Sequence, residues 1–300
     1  MSTQPVTNQP LGLPRKPSRI NAIYRAFANQ LVSGLAMLAT VLVLVPLAAI
    51  LFYLVYKGAR SLNIAFFTHV PAPVGEEGGG MANAIVGSAI ILAIASLIGI
   101  PIGIGAGVYL AEFGRGKLLG NAVRFTADVL NGVPSIVVGI SVFALLVQGR
   151  HFSALAGGVA LGIMMIPTVT RTTEEMLAVV PHAIREAALG LGVPKWRTAI
   201  SVSLRTASPG IITGCMLAFA RVAGETAPLL FTALGNQFWS IKLNEPIAAL
   251  PLQIFAYATG PYDEWHRLAW AGALVLIALI MISVTLVRIY ASRGVLKGGS

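Results

Sequence analysis

Two charged residues interrupt an apolar stretch in which residues 219–231 read FARVAGETAPLLF. An arginine at the centre of a membrane helix costs about 2.5–3.5 kcal/mol, so it usually serves a transport path or an ion pair. Arg221 follows Pro209 by twelve residues, which is about 18 Å along a helix and close to the middle of a bilayer. Glu225 comes four residues later, on the same face of a continuous helix. Because a guanidinium keeps its charge and binds two oxygens of an oxyanion at once, the pair favours an anion path over a purely structural ion pair.

A second arginine, Arg171, lies late in another apolar stretch, with Glu174 and Glu175 three and four residues later. Either carboxylate could pair with Arg171 on a helix, and Arg171 is the second candidate for the anion path. A helix end that frays into a charged cytoplasmic surface would give the same pattern. Asp128, in the string ADVLNGVPS, is expected to begin a helix, because an acidic side chain is favourable at a helix start.

The sequence contains no motif for catalysis or for metal binding. The string nearest to a GxxxxGK(S/T) phosphate loop, FGRGKLL, lacks the first glycine and the final Ser or Thr. The four histidines share no spacing typical of metal ligands, and the single cysteine, Cys215, excludes an intramolecular disulfide. We therefore predict no catalytic residue, no metal site and no cofactor on this chain.

The composition is that of a membrane protein. Hydrophobic residues make up 56% of the chain and charged residues 11%, and the mean hydropathy is +0.80, whereas about a quarter of a soluble domain is charged. The net charge of +10 is scattered rather than gathered on one face, which argues against nucleic acid as a partner. We predict an all-α integral membrane protein with six transmembrane helices, near residues 31–56, 84–111, 122–148, 153–178, 207–234 and 268–291.

The predicted segments have a definite order and orientation. We expect a disordered basic N-tail over residues 1–30, a first transmembrane helix over 31–56 and an extracytoplasmic loop over 57–83. A helical core over 84–291 and a C-tail over 292–300 complete the chain. The two tails and the loops 112–124 and 179–206 hold 13 of the 21 Lys and Arg residues. Basic residues collect on the cytoplasmic side, so both termini and the 179–206 loop are predicted to be cytoplasmic.

Small residues on the second predicted span indicate close helix packing. Gly99, Gly103 and Gly107 recur every four residues and lie on one face of a helix. The stripe could contact a partner subunit or another helix of the same chain.

The long cytoplasmic loop has more structure than a connection needs. Pro181 can begin a short amphipathic helix over His182–Leu191, Gly192 can end it, and Pro194 can begin a second. Glu186-Ala187-Ala188, followed by Gly192 and then by Val202 and Leu204, resembles the EAA loop of ABC-importer permeases. Val202 replaces the usual isoleucine and Arg205 the usual proline.

Four strings narrow the resemblance to the A-type permeases of bacterial phosphate-specific importers, a type I ABC-importer family. They are DVLNGVPSIVVGI, MMIPTVTRTTEEML, EAALGLGVPKWRTAI and ARVAGETAPLLFT, at 128–140, 164–177, 186–200 and 220–232. The resemblance implies that residues 84–291 form the permease core and that Glu186, Ala187, Ala188 and Gly192 dock on an ATPase.

The family also implies the setting of the chain. It implies a bacterial plasma (inner) membrane location, a homologous second permease subunit, an ABC ATPase dimer that carries ATP and Mg²⁺, and an extracytoplasmic phosphate-binding protein. Arg171, Arg221 and Glu225 fall at motif positions of the family. The nearest alternative is an ABC importer for another oxyanion, such as sulfate, molybdate or phosphonate. A second is an ion-coupled secondary transporter, which leaves the EAA loop unexplained. A third is a membrane enzyme, for which no motif is present.

Overall fold

The computed structural model describes residues 19–73, 76 and 78–296, and this part of the chain is helical, with a single isolated β-bridge and no strand. The N-terminal half contains α1 (Arg19–Ser61), α2 (Ile64–Thr68), α3 (Ala82–Val108), α4 (Leu118–Gly132) and α5 (Ser135–Val142). The rest contains α6 (Ala154–Val179), α7 (His182–Gly190), α8 (Lys195–Thr198), α9 (Leu204–Ala223), α10 (Ala227–Thr232), α11 (Leu250–Ala258) and α12 (Asp263–Leu296). Three π-helical turns extend α3 over Tyr109–Phe113, extend α5 over Phe143–Val147, and join α8 to α9 over Ala199–Ser203.

Five helical segments of the described chain are long and apolar enough to cross a membrane. They are Phe27–Ser61, Ala82–Phe113, Ala154–Val179, Lys195–Ala223 and Asp263–Ile289. The pair formed by α4 and α5, which is bent by 104°, makes a sixth span if it is counted as one. The predicted all-α membrane fold is therefore confirmed, and the spans differ from the prediction in their continuity.

Two of the predicted spans are broken in the structure. The third, placed at 122–148, bends at Val133 and Pro134, because proline has no backbone N–H to donate and disfavours helical backbone in the preceding residue. The fifth, placed at 207–234, stops at Ala223, and α10 begins at Ala227 after Gly224, Glu225 and Thr226. Helix α11, which lies between the fifth and sixth predicted spans, was not predicted.

The chain ends differ from the predicted boundaries as well. The N-tail was predicted to be disordered up to residue 30, but α1 begins at Arg19; residues 1–18 of the tail lie outside the described residues. At the other end, α12 continues to Leu296 through the start of the predicted C-tail. The chain divides into two units at Tyr53 and Leu54, and all features below belong to the second.

The glycine stripe of α3 packs on α6 of the same chain, which decides between the two alternatives left by the sequence. A Cβ atom added to each stripe glycine would lie within 3 Å of a side-chain atom of α6, in the pairs Gly99–Met165, Gly103–Val169 and Gly107–Thr173. The order of these pairs shows that α3 and α6 run parallel. Helix α6 is thus a central element, since α4 and α9 pack on it too.

We expect the substitution Gly103→Val to destabilise the chain. The new Cβ would lie 2.6 Å from the Cβ of Val169, which has no room to move at a helix–helix contact, and overpacking of this kind costs about 1–3 kcal/mol. Gly105→Val is the matched control, because a Cβ at Gly105 has nothing within 4 Å. The midpoint of thermal unfolding of the purified chain measures the effect, and equal midpoints for the two variants would contradict this account of the packing.

Candidate translocation pathway and coupling loop

Arg171 lies in a cluster of four charges between α4 and α6. Its Nε is 3.1 Å from Oδ1 of Asp128 on α4, and one terminal nitrogen is 3.3 Å from Oε2 of Glu174 on α6. The other oxygen of Glu174 accepts a hydrogen bond of 2.6 Å from Nε of Arg124. Glu174 is 15% exposed and Arg171 is 37% exposed, so the cluster has a protected carboxylate on one side and a partly open guanidinium on the other.

The cluster corrects two of the sequence predictions. Asp128 was expected to begin a helix, but α4 begins ten residues earlier, at Leu118. Its side chain instead pairs with Arg171 across two helices. Of the two carboxylates that could pair with Arg171, Glu174 does so, and Glu175 is exposed without an ion pair among the described residues. The sequence carries one signal for this contact. Arg124 and Asp128 are four residues apart on one helix, Arg171 and Glu174 are three apart on another, and each pair holds one charge of either sign.

Arg221 and Glu225 do not form the predicted helical pair. Arg221 is the third residue from the end of α9, and Glu225 lies in the break that follows. Among the described residues no ion pair involves either of them; Arg221 is exposed and Glu225 is half-buried. The expectation failed because α9 ends at Ala223, with Gly224 at its C-terminal cap, so Glu225 does not lie on the same helix face as Arg221. Arg221 therefore presents a free guanidinium.

The packing of α9 on α6 gives the relative heights of the two arginines. The helices contact each other in antiparallel order, through the pairs Gly210–Met176 and Gly214–Thr172. Continuing that register places Arg221 at the level of Met165. Arg171 is six residues further along α6, which corresponds to about 9 Å at 1.5 Å per residue. The two arginines thus occupy different heights, with Arg171 on the side of the 179–206 loop.

The break between α4 and α5 lies at the same height as Arg221. Helices α4 and α6 are antiparallel, as the contacts Arg124–Glu174, Asp128–Arg171 and Asn131–Thr168 show. Continuing this register places Val133 and Pro134 opposite Ile166, one residue from Met165. The half-helices beyond the two breaks pack against each other, since a Cβ at Gly139 of α5 would lie 2.7 Å from Cα of Pro228 of α10.

The broken backbone is exposed in the isolated chain. Gly132, Pro134 and Gly224 are all exposed. Non-helical backbone at membrane depth is tolerated only where it is covered by protein or lines a water-filled cavity, because lipid offers no hydrogen bonds. The exposed backbone at the two breaks is therefore suited to a subunit interface or an aqueous path rather than to lipid contact.

The 179–206 loop forms the predicted helix-turn-helix. Helix α7 follows Pro181, and Gly192 ends it with φ of +81°, a left-handed conformation that glycine adopts without strain. Glu186 and Ala187 are exposed, whereas Ala188 is 8% exposed and packs inward. The loop thus presents the glutamate and one alanine to the outside and holds the other alanine against the bundle.

Sequence reasoning missed the residue that fixes this loop to the spans. Arg185 is 9% exposed, although it lies in a loop predicted to face the cytoplasm, and its Nε is 2.9 Å from Oε1 of Glu112. The signal was weak, because a charged residue in a cytoplasmic loop is usually a solvated one and 73 residues separate the partners.

A family model for the inner membrane component of binding-protein-dependent transport systems matches residues 99–294. The chain belongs to this family. It is therefore a multi-pass inner membrane permease that works with other subunits of an ABC importer, and not an enzyme. The matched region contains every candidate residue described above.

Curated relatives of this permease match over most of its length. A phosphate transport system permease protein PstA from Yersinia pestis is 46% identical over 267 residues, which are 89% of this chain and 90% of the relative. A protein of the same name from Haemophilus influenzae is 46% identical over 269 residues, or 89% and 93% of the two chains. The PstA 1 protein of Mycobacterium tuberculosis H37Rv is 35% identical over 301 residues, or 97% and 94%.

Solved structures share the fold of the permease. A chain of the MetNI methionine ABC transporter in an inward-facing conformation matches with a TM-score of 0.54 at 20% identity, covering 72% of this chain and 96% of that one. A second crystal form of the same transporter matches with a TM-score of 0.56 at 18% identity, covering 72% and 95%. The predicted ABC-importer permease architecture is thus confirmed.

Proposed function

We propose that this chain is the transmembrane permease subunit of an ATP-driven inorganic phosphate importer and forms half of the translocation pathway. The observation that carries the proposal is the free guanidinium of Arg221, exposed beside broken helices on a chain 46% identical to phosphate permeases. Phosphate at neutral pH is a monoanion or dianion with strong acceptor oxygens, and a guanidinium binds two of them in a planar arrangement. The carried anion meets Arg221 first and Arg171 about 9 Å further toward the cytoplasm.

The two arginines play different parts in this pathway. Arg221 has no carboxylate partner among the described residues and offers its full charge to the anion. Arg171 is shared between Asp128 and Glu174, which weakens its hold on phosphate. Release requires such moderation, because an anion bound too strongly does not move on. Glu225, half-buried in the break that follows α9, is a negative charge that moderates the attraction of this part of the path for the anion.

Energy reaches the pathway through the 179–206 loop. Glu186, Ala187 and Gly192 form the surface that docks on one subunit of an ABC ATPase dimer, which carries the ATP and Mg²⁺, and Ala188, the third residue of the same motif, packs α7 against the bundle. This chain binds no cofactor of its own. A homologous second permease covers the exposed face with the broken helices, an extracytoplasmic phosphate-binding protein delivers the anion, and both termini lie in the cytoplasm. The basic residues of the chain ends and of the 112–124 and 179–206 loops support this orientation.

We expect Gly192→Ala to weaken transport by uncoupling. A residue other than glycine at a φ of +81° is strained by about 1–2 kcal/mol. This strain lowers the population of the docked loop relative to the displaced loop by roughly tenfold. Gly149→Ala is the matched control, because its φ is +76° and its Cβ also has nothing within 4 Å, but it lies outside the loop. Uptake is compared at equal membrane levels, and the same loss in both variants would count against a coupling role.

Competition between anions tests the proposed substrate. Cells that depend on this importer take up radiolabelled phosphate while unlabelled phosphate, sulfate, molybdate or a phosphonate is added in excess. We expect unlabelled phosphate alone to compete strongly, and strong competition by sulfate would move the assignment to another oxyanion. Inactivation of the ATPase partner should abolish uptake. If an uncoupler abolished uptake and inactivation of the ATPase did not change it, the chain would be an ion-coupled transporter.

A further inference from the structure

Arg185 and Ala188 form the buried face of α7, and Arg185 is the charged residue of the two. It is the fourth residue of α7, 9% exposed, while Glu186 beside it is exposed. Lysine and arginine are almost never buried unless they are paired. The guanidinium therefore faces the bundle, on the opposite side from the surface offered to the ATPase.

Its hydrogen bonds reach three membrane-spanning segments at once. Nε donates to Glu112 at 2.9 Å, in the π-helical turn that ends α3, and lies 3.3 Å from Oγ of Ser203, in the π-helical turn before α9. The terminal nitrogens donate to the backbone carbonyls of Leu177 and Val180, at the C-terminal end of α6. The last carbonyls of a helix have no partner within it, and a cation there also complements the helix dipole.

The pair with Glu112 is shielded from water. The side chains of Arg185 and Glu112 are 11% and 9% exposed. A shielded pair of this kind attracts strongly and fixes a geometry, and loss of one partner leaves an uncompensated buried charge. π-helical turns within α-helices often occur at functional sites, and two of the partners of Arg185 are in such turns.

We propose that Arg185, held by Glu112, is the positioning residue that transmits movement of α7 to α3, α6 and α9. The inference rests on the proposed docking of α7 on an ATPase. A force on the exposed face of α7 moves the guanidinium, and the three segments bonded to it move with it. Ala188 makes only apolar contacts with the bundle, which do not fix the orientation of α7. The hydrogen bonds of Arg185 fix both the orientation of α7 and its distance from the three segments.

Two measurements on Arg185→Met test the proposal. In the full chain in lipid nanodiscs, amide hydrogen exchange across residues 182–190 reports whether α7 is anchored. In vesicles holding the complete transporter, the phosphate moved per ATP hydrolysed reports whether movement is transmitted. We expect exchange in α7 to become about tenfold faster, and the phosphate moved per ATP to fall about fivefold or more while ATP hydrolysis continues. Arg185→Lys should restore part of both.

Further variants separate anchoring from misfolding. The double variant Arg185→Met with Glu112→Gln leaves no unpaired buried charge, and it should fold at least as well as Arg185→Met alone and remain uncoupled. Arg288→Met is the control, because Arg288 is an exposed arginine of α12 with no ion pair among the described residues. It should leave the exchange of α7 and the coupling ratio as in the wild type.

Each outcome decides the inference. Unchanged exchange in α7 would overturn it, and so would faster exchange with an unchanged amount of phosphate per ATP. If the wild-type transporter carried a different anion, the proposed substrate would be wrong but this inference would stand. Hydrogen exchange in α7 and the amount of that anion moved per ATP would still test it.

Discussion

Replacement of Arg221 by alanine is expected to reduce phosphate uptake by about 10- to 100-fold at matched membrane levels. Hydrogen bonds to a charged group contribute about 1.5–3 kcal/mol, and each 1.4 kcal/mol corresponds to a factor of ten. Arg221 is exposed beside the break after α9 and has no carboxylate partner in the part of the chain that the structure describes, so we assign its whole contribution to the anion. Uptake of radiolabelled phosphate by cells that depend on this importer measures the loss.

Two further variants sharpen the result for Arg221. Arg221→Lys keeps the charge and loses the planar bidentate geometry, so we expect uptake between those of the wild type and the alanine variant. Arg288→Ala removes another exposed arginine from a spanning helix and should leave uptake unchanged. Wild-type uptake by Arg221→Ala, or an equal loss in Arg288→Ala, would remove Arg221 from the pathway.

The second large effect is expected at Glu174 and concerns stability. Its carboxylate contacts both Arg124, at 2.6 Å, and Arg171, at 3.3 Å, so Glu174→Gln leaves two guanidinium groups with only Asp128 between them. Breaking a fully buried pair costs about 3–5 kcal/mol, and the partial exposure of the arginines reduces the expected loss to about 2 kcal/mol. The midpoint of thermal unfolding in detergent should fall by several degrees.

Glu175 provides the control for that measurement. It is the next residue on the same helix, it is exposed, and no ion pair involves it among the described residues. Glu175→Gln should therefore unfold at the wild-type midpoint. If both glutamine variants unfolded at the same temperature, the charge cluster between α4 and α6 would not stabilise the fold.

Features that follow from local sequence were predicted well. Long apolar segments must satisfy their backbone hydrogen bonds internally, which makes helices inevitable in a membrane. The α7 segment was also predictable, because Pro181 and Gly192 mark its ends whatever the rest of the chain does. The resemblance to a known family rested on short sequence motifs, and the family model that matches residues 99–294 confirms it.

Features that depend on interruptions or on distant contacts were not predicted. A window of mean hydropathy cannot separate one continuous span from two half-helices, so the breaks at Pro134 and Gly224 went unseen. That error carried directly into the site, because the supposed pairing of Arg221 with Glu225 required a continuous helix. The stripe of small glycines predicted a close contact but could not identify its partner, which is Val169 and its neighbours on α6.

Charge pairing across the chain shows the same limit. Arg171 was predicted to pair with Glu174 or Glu175 on its own helix, and Glu174 is a partner in the structure, but its partner on another helix, Asp128, had been assigned to a helix start. Arg185 attracted no attention, because its burial arises only when the ends of α3 and α6 and the start of α9 converge on it. Sequence spacing predicts pairs within one helix, and pairs between helices depend on a register that only the folded chain supplies.

We propose that this permease conducts phosphate along a path that includes Arg221, driven by ATP hydrolysed on a partner chain. The most direct measurement is accumulation of radiolabelled phosphate in sealed vesicles that hold the complete transporter and its binding protein. The wild type is predicted to accumulate phosphate only when ATP is supplied on the side of the 179–206 loop, and Arg221→Ala to accumulate at least about tenfold less. Accumulation without ATP, or equal accumulation by the variant, would contradict the account.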